Sequence, residues 1–229
     1  MNRLIAAVLV VFVMLTGCEY SGSFDNPVSR NLSWFDYVGG RGLKEACGAG
    51  ASDRLRFVYN GNYDEQIRTY DLRALSQKPG AVVSAWVRSA GNLANGVKFT
   101  NLLSPWDGDR VEGTMDRKAF AALRAALRED QFSGYRPVGL QLPSNEYYWL
   151  VTGCLNGRFH SNAWLYPSER FKTLKFPAKL LAGDHTGIKF RDPATAKIYE
   201  DYPIKTRGGR NPSDPSFLIE LGANGIVGQ

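Results

Sequence analysis

Cysteine, histidine and long apolar runs are all scarce in this chain. Its 229 residues include three cysteines and two histidines, and neither His160 nor His185 falls in an H-x-x-x-H or H-E-x-x-H pattern. The cysteines, at positions 18, 47 and 154, form no C-x-x-C pair. The short ligand spacings of zinc sites are therefore missing, and no metal is expected. There is no G-x-S-x-G elbow. That removes the usual cue for a serine hydrolase, although a triad gathered from distant segments needs no such motif. Gly40 and Gly42 do not extend into G-x-G-x-x-G, because Glu45 stands where the third glycine would fall, and no G-K-S/T follows. No cofactor is expected, and no residue is assigned a catalytic role. Coiled-coil heptads, low-complexity tracts and a second membrane-length segment are also lacking.

What is present describes a globular protein. Hydrophobic residues make up 44% and charged residues 22% of the chain, which argues against wholesale disorder. The formal net charge is +6. The basic residues are spread along the chain, a balance that serves solubility and is also compatible with anionic lipid or cell-wall polymers.

The first 18 residues are the most specific part. Asn2 and Arg3 make a short polar, positive start, and Leu4 to Leu15 is an unbroken apolar run. A helix of that length reaches roughly 18 Å, short of the roughly 30 Å hydrocarbon core of a bilayer. The run suits the apolar region of a signal peptide. It ends in Leu15-Thr16-Gly17-Cys18, which resembles the lipobox of bacterial lipoproteins. The resemblance implies that residues 1–17 are removed and that Cys18 becomes an acylated N-terminus anchored in a lipid bilayer. It further implies a location in the cell envelope. In enteric-type lipoproteins an aspartate after the cysteine favours the inner membrane, so Glu19 points to the outer membrane, facing the periplasm. Residues 18–31 then form the lipidated end and a flexible tether rich in Ser, Gly, Asn and Pro. Residues 32–229 are expected to form one globular domain with a loop-rich C-terminal part. An exported protein seldom meets nucleic acid, and none is expected as a partner.

Cys47 and Cys154 remain after the lipobox cysteine. In an oxidising compartment a lone pair usually forms a disulfide, and one is predicted here.

Periodicity suggests strands at Arg54–Tyr59, Val82–Val87, Val97–Leu102, Asp109–Thr114, Val138–Leu142, Glu146–Cys154 and Arg158–Tyr166. Shorter ones are suggested at Ile188–Arg191 and Phe217–Leu221. Asn60-Gly61 and Asn156-Gly157 are hairpin-turn signals. A two-residue turn at the first would set Arg56 opposite Glu65. Asp116–Asp130 reads as a helix capped by Asp116, with Phe120, Leu123 and Leu127 on one face. Shorter helices are expected over Leu43–Cys47 and from Pro167-Ser168-Glu169 into Leu174. The expected fold is α+β: an antiparallel sheet or sandwich with the Ala-rich helix packed on it.

Three groups of residues are candidates for chemistry. With a turn at Asn156-Gly157, Trp149 opposes Trp164 and Tyr147 opposes Tyr166, and His160 and Asn162 share their face. The other face, with Tyr148, Leu150 and Cys154, is more aliphatic and reads as the core side. The Trp/Tyr face is thus a candidate ligand platform for a glycan. Arg117, Arg124 and Arg128 form a helical stripe able to meet an anionic surface. Asp107 and Asp109 beside Trp106 are an acidic pair of the kind used in glycoside hydrolysis, although their setting also suits a turn. The functional expectation is a non-enzymatic envelope protein that binds a glycan, lipid or protein partner. The alternative is an envelope hydrolase with dispersed catalytic residues.

Overall fold

Alternation of apolar and polar residues builds most of the molecule. The computed structural model describes residues 34–63, 65–75, 79–89, 109–196 and 217–228. The signal segment, Cys18, the tether, the Val97–Leu102 strand and Asp107 lie outside them. Six strands, β1 (Arg54–Gly61), β2 (Gln66–Ala74), β3 (Gly80–Ser89), β4 (Asp109–Asp116), β6 (Tyr147–Leu155) and β7 (Arg158–Leu165), form an antiparallel sheet in the order β4-β3-β2-β1-β6-β7. A smaller antiparallel sheet joins β5 (Gln141–Pro143), β8 (Leu218–Gly222) and β9 (Gly225–Gly228) in the order β5-β8-β9. The helices are α1 (Arg41–Glu45), α2 (Arg117–Glu129), α3 (Glu169–Lys172) and α4 (Phe176–Leu181), and residues 34–39 are helical as well. The fold is sheet-dominated with few helices, in keeping with the α+β expectation.

The large sheet carries a core on each face. On the first, Leu55, Phe57, Tyr59, Tyr70, Leu72, Trp149 and Trp164 pack under α2 and α4 through Phe120, Leu123, Leu127, Phe176 and Leu180. On the second, Val58, Ile67, Trp86, Tyr148, Leu150 and Ala163 pack under the small sheet and the N-terminal helical segment through Leu142, Ile219, Leu221, Trp34 and Val38. The result is three layers, and most of the sheet has no wet face.

Helix α2 follows its sequence closely. Asp116 adopts an extended conformation and its side chain accepts from the Ala119 N–H at 2.7 Å. At the other end Gln131 is left-handed, with φ 58. Phe132 N–H then reaches Leu127 O at 2.9 Å and Gln131 N–H reaches Arg128 O at 3.0 Å. This pair of bonds closes the last turn and folds Phe132 back into the core.

Several sequence expectations are corrected. Asn60-Gly61 is not a turn. Both residues belong to β1, and the reversal falls at Asn62–Glu65, with Asn62 left-handed at φ 63. Asn60 is buried instead, its amide donating to the carbonyls of Ser144 at 2.8 Å and Glu146 at 2.5 Å. Arg56 accordingly opposes Asp71 and not Glu65. The segment Ile188–Arg191 is not a strand, although it is held at the sheet. The Gln66 side chain donates to Lys189 O and accepts from Arg191 N–H, replacing a strand partner. Residues 138–140 turn, leaving only β5 from the Val138–Leu142 expectation.

Candidate functional site

The second hairpin has the predicted register. Asn156 and Gly157 both have positive φ, at 51 and 71, Leu155 pairs with Arg158, and Trp149 pairs with Trp164. The exposed platform inferred from that register is absent. Trp149 and Trp164 are each 1% exposed. The Trp149 ring stands edge-on to Phe176 at 5.3 Å and 4.8 Å from Tyr59. Tyr147 is buried and receives a hydrogen bond from Arg191 Nε at 3.0 Å, while half-buried Tyr166 meets Phe171 edge-on. Asn162 is fully buried. Its amide donates to the carbonyls of Gln131, Phe132 and Tyr135, fixing the loop after α2. Both faces of the hairpin are core because helices cover one and the small sheet covers the other.

His160 differs from the rest of that face, because it lies near the turn where the helical cover ends. There it lines a groove of about 540 Å³ with Arg124, Arg128, Ser133, Asn156 and Arg158, above Leu127, Phe132 and Leu155. Two of the three stripe arginines therefore meet one member of the aromatic-face set. Arg117, at the start of α2, is exposed and lies outside the groove.

The N-terminal loop braces the groove from outside its lining. Cys47 and Cys154 are joined in a disulfide with their Cα atoms 5.5 Å apart. The loop then runs past the hairpin turn so closely that a Cβ on Gly157 would stand 2.6 Å from Gly48 O. This contact and the left-handed backbone both call for glycine at 157. The same loop delivers Asp53, whose carboxylate accepts from Asn156 N–H at 2.8 Å and pairs with Arg124 at 3.0 Å. Arg128 and Arg158 are exposed and have no ion-pair partner among the described residues. Burial and the charges of Arg136 and Arg158 push the His160 pKa below the usual histidine value. Its ring, edge-on to Phe132 at 5.8 Å, is neutral at neutral pH.

A smaller basin, about 340 Å³, opens on the second face between Tyr37, Thr69, Asp71, Ser84, Trp86 and Arg110. Its carboxylate is already engaged. Asp71 accepts from Arg56 Nε at 2.6 Å and from the Tyr37 hydroxyl at 2.9 Å, and the Arg56 guanidinium stacks over the Tyr37 ring. Burial, and then the Asp71 charge, push the Tyr37 hydroxyl up to about 12. Arg56 offsets Asp71 here, which leaves the exposed Arg110 as one cation at the basin, whereas the groove presents two without an ion pair among the described residues.

The chain matches no family model, no curated protein and no solved structure. Among the described residues, no group of three or more His, Cys, Asp or Glu is placed to hold a metal ion. Neither histidine is hydrogen-bonded to a serine or carboxylate among them. What the groove offers is cationic forks, a neutral imidazole and hydroxyl and amide groups, which suits holding an anion.

Arg158, Asp53 and Ser133 were missed as site residues. The hairpin register puts Arg158 beside the turn, but only packing shows that α2 lies next to it.

Proposed function

We propose that this protein is a lipid-anchored component of the bacterial cell envelope with a non-enzymatic binding role. The observation that carries the reading is Leu15-Thr16-Gly17-Cys18 directly after a signal-length apolar run. Acylation at Cys18 anchors the chain in a bilayer, because each buried CH₂ contributes about 0.8 kcal/mol and two or three acyl chains hold firmly where one does not. Glu19 supports an outer-membrane location facing the periplasm. The groove between α2 and the β6–β7 hairpin is the binding surface in this reading, since Arg128 and Arg158 line it without an ion-pair partner among the described residues.

Replacing Cys18 by serine is the direct test. The variant is expected to lose incorporation of labelled palmitate and to accumulate as uncleaved precursor. Normal acylation and cleavage of Cys18→Ser would overturn the lipoprotein reading.

A further inference from the structure

We propose that the groove binds the dianionic phosphate of a phosphomonoester. This rests on reading the groove as the binding surface, and it is independent of lipidation at Cys18. Arg124 is offset by Asp53, which leaves Arg128 and Arg158 as two cations that line one cavity and make no ion pair among the described residues. A phosphomonoester carries about −1.5 to −2 at neutral pH, so one such group balances both arginines. A diester or a carboxylate carries a single charge and leaves one cation uncompensated. The geometry of the donors agrees with this count. Arginine forks match phosphate oxygens bidentately, and they arrive from two different elements, α2 and the hairpin. Ser133, Asn156 and His160 line the same space and offer hydrogen bonds. Its volume of about 540 Å³ exceeds what a bare phosphate fills, and it lies within the roughly 300–1,000 Å³ of small-molecule sites. The floor of Leu127, Phe132 and Leu155 is apolar, so the rest of the ester meets carbon.

Two sources present this chemistry: the headgroup of a phosphorylated lipid, and a soluble phosphoester. Calorimetric titration of the lipidated protein in nonionic detergent separates them. The probes are hexyl phosphate, glycerol 3-phosphate and dimethyl phosphate, at about pH 7.5, where the monoesters are dianions. Both monoesters are expected to bind, and dimethyl phosphate about tenfold more weakly or less, since it lacks the second charge. Tighter binding of hexyl phosphate than of glycerol 3-phosphate identifies a lipid headgroup, and equal binding identifies a soluble ester. Arg128→Gln and Arg158→Gln should each weaken monoester binding about tenfold, with the thermal midpoint unchanged because both side chains are exposed. Arg117→Gln, on the same helix outside the groove, should change binding less than about twofold.

Equal weakening by Arg117→Gln would mean diffuse surface charge, and it overturns the site. Equal binding of dimethyl phosphate overturns the dianion assignment while leaving the groove as an anion-binding surface. No binding of any probe overturns both, and the palmitate result for Cys18 is unaffected by either.

Discussion

Arg68 is among the largest fully buried side chains, and its charge is spoken for at every nitrogen. Nε donates to Gln66 Oε1 at 2.9 Å and one terminal nitrogen to Ile188 O at 2.5 Å. The other pairs with Asp184, which also accepts from the Tyr70 hydroxyl at 2.7 Å. This cluster fastens the segment after α4 onto the sheet. Removing one partner strands the other charge, so Asp184→Asn is expected to cost about 3–5 kcal/mol, measured by urea unfolding. Burial alone would raise the Asp184 pKa, but hydrogen bonds from Thr186 and Tyr70 and the Arg68 charge take it below the ordinary carboxylate value. A carboxylate depressed in the folded state contributes stability that is complete above its unfolded pKa of about 4 and is lost as pH falls through the folded value. The acid limb of a stability–pH curve should therefore be shallower in Asp184→Asn than in the parent. The buried indoles give a second test at this scale. Trp149→Ala and Trp164→Ala should each cost about 3–5 kcal/mol in chemical unfolding, whereas a surface platform would lose binding with little change in stability.

At the scale of elements, legibility followed local chemistry. Helix α2 could be read because cap, face and length agreed, and the Asn156-Gly157 hairpin because both turn residues must accept positive φ. The same signal at Asn60-Gly61 misled, because Asn60 is used as a buried amide that secures the loop before β6. Strand β2 went unread because Gln66 and Arg68 face inward where alternation would place apolar residues. Helix α4 starts with Pro177 near its first position, yet its cap is the remote Asp130 carboxylate accepting from Lys175 and Phe176 N–H. No local pattern shows that. The left-handed Gln131 closing α2 invites a test. Gln131→Gly relieves the side-chain penalty of that conformation but frees the unfolded chain, so the net gain is expected to be about 0.5 kcal/mol. It should be seen as a small rise in the chemical-unfolding midpoint.

For the whole molecule, the main misreading was of layers. An antiparallel sheet commonly keeps one face wet, and that premise made the aromatic face of the hairpin look available. Here both faces are covered, and the polar residues brought together lie at the end of the sheet where the cover stops. The sequence displayed Arg124, Arg128 and His160 as separate candidates. Their meeting depends on α2 crossing the sheet next to the β6–β7 turn, a long-range fact that no short window contains.

One seam of the large sheet joins β1 to β6, two strands far apart in the chain, with Arg54 opposite Cys154. The bond from Cys154 to Cys47 ties the loop ahead of β1 directly to β6. The consequence is mechanical. A pull on the N-terminal end can strip off the helical segment before residue 47, but it then meets a covalent stitch into β6, one strand in from the edge of the sheet. Load passes to β6 as well as to β1, and the strands are loaded together instead of peeling one at a time. In single-molecule pulling from the N-terminus, the oxidised protein should release, of the described chain, little more than residues 34–46 before global rupture. Reduction should add an earlier event as β1 is drawn away. Under the proposed N-terminal tether, the stitch is where the molecule would take the strain.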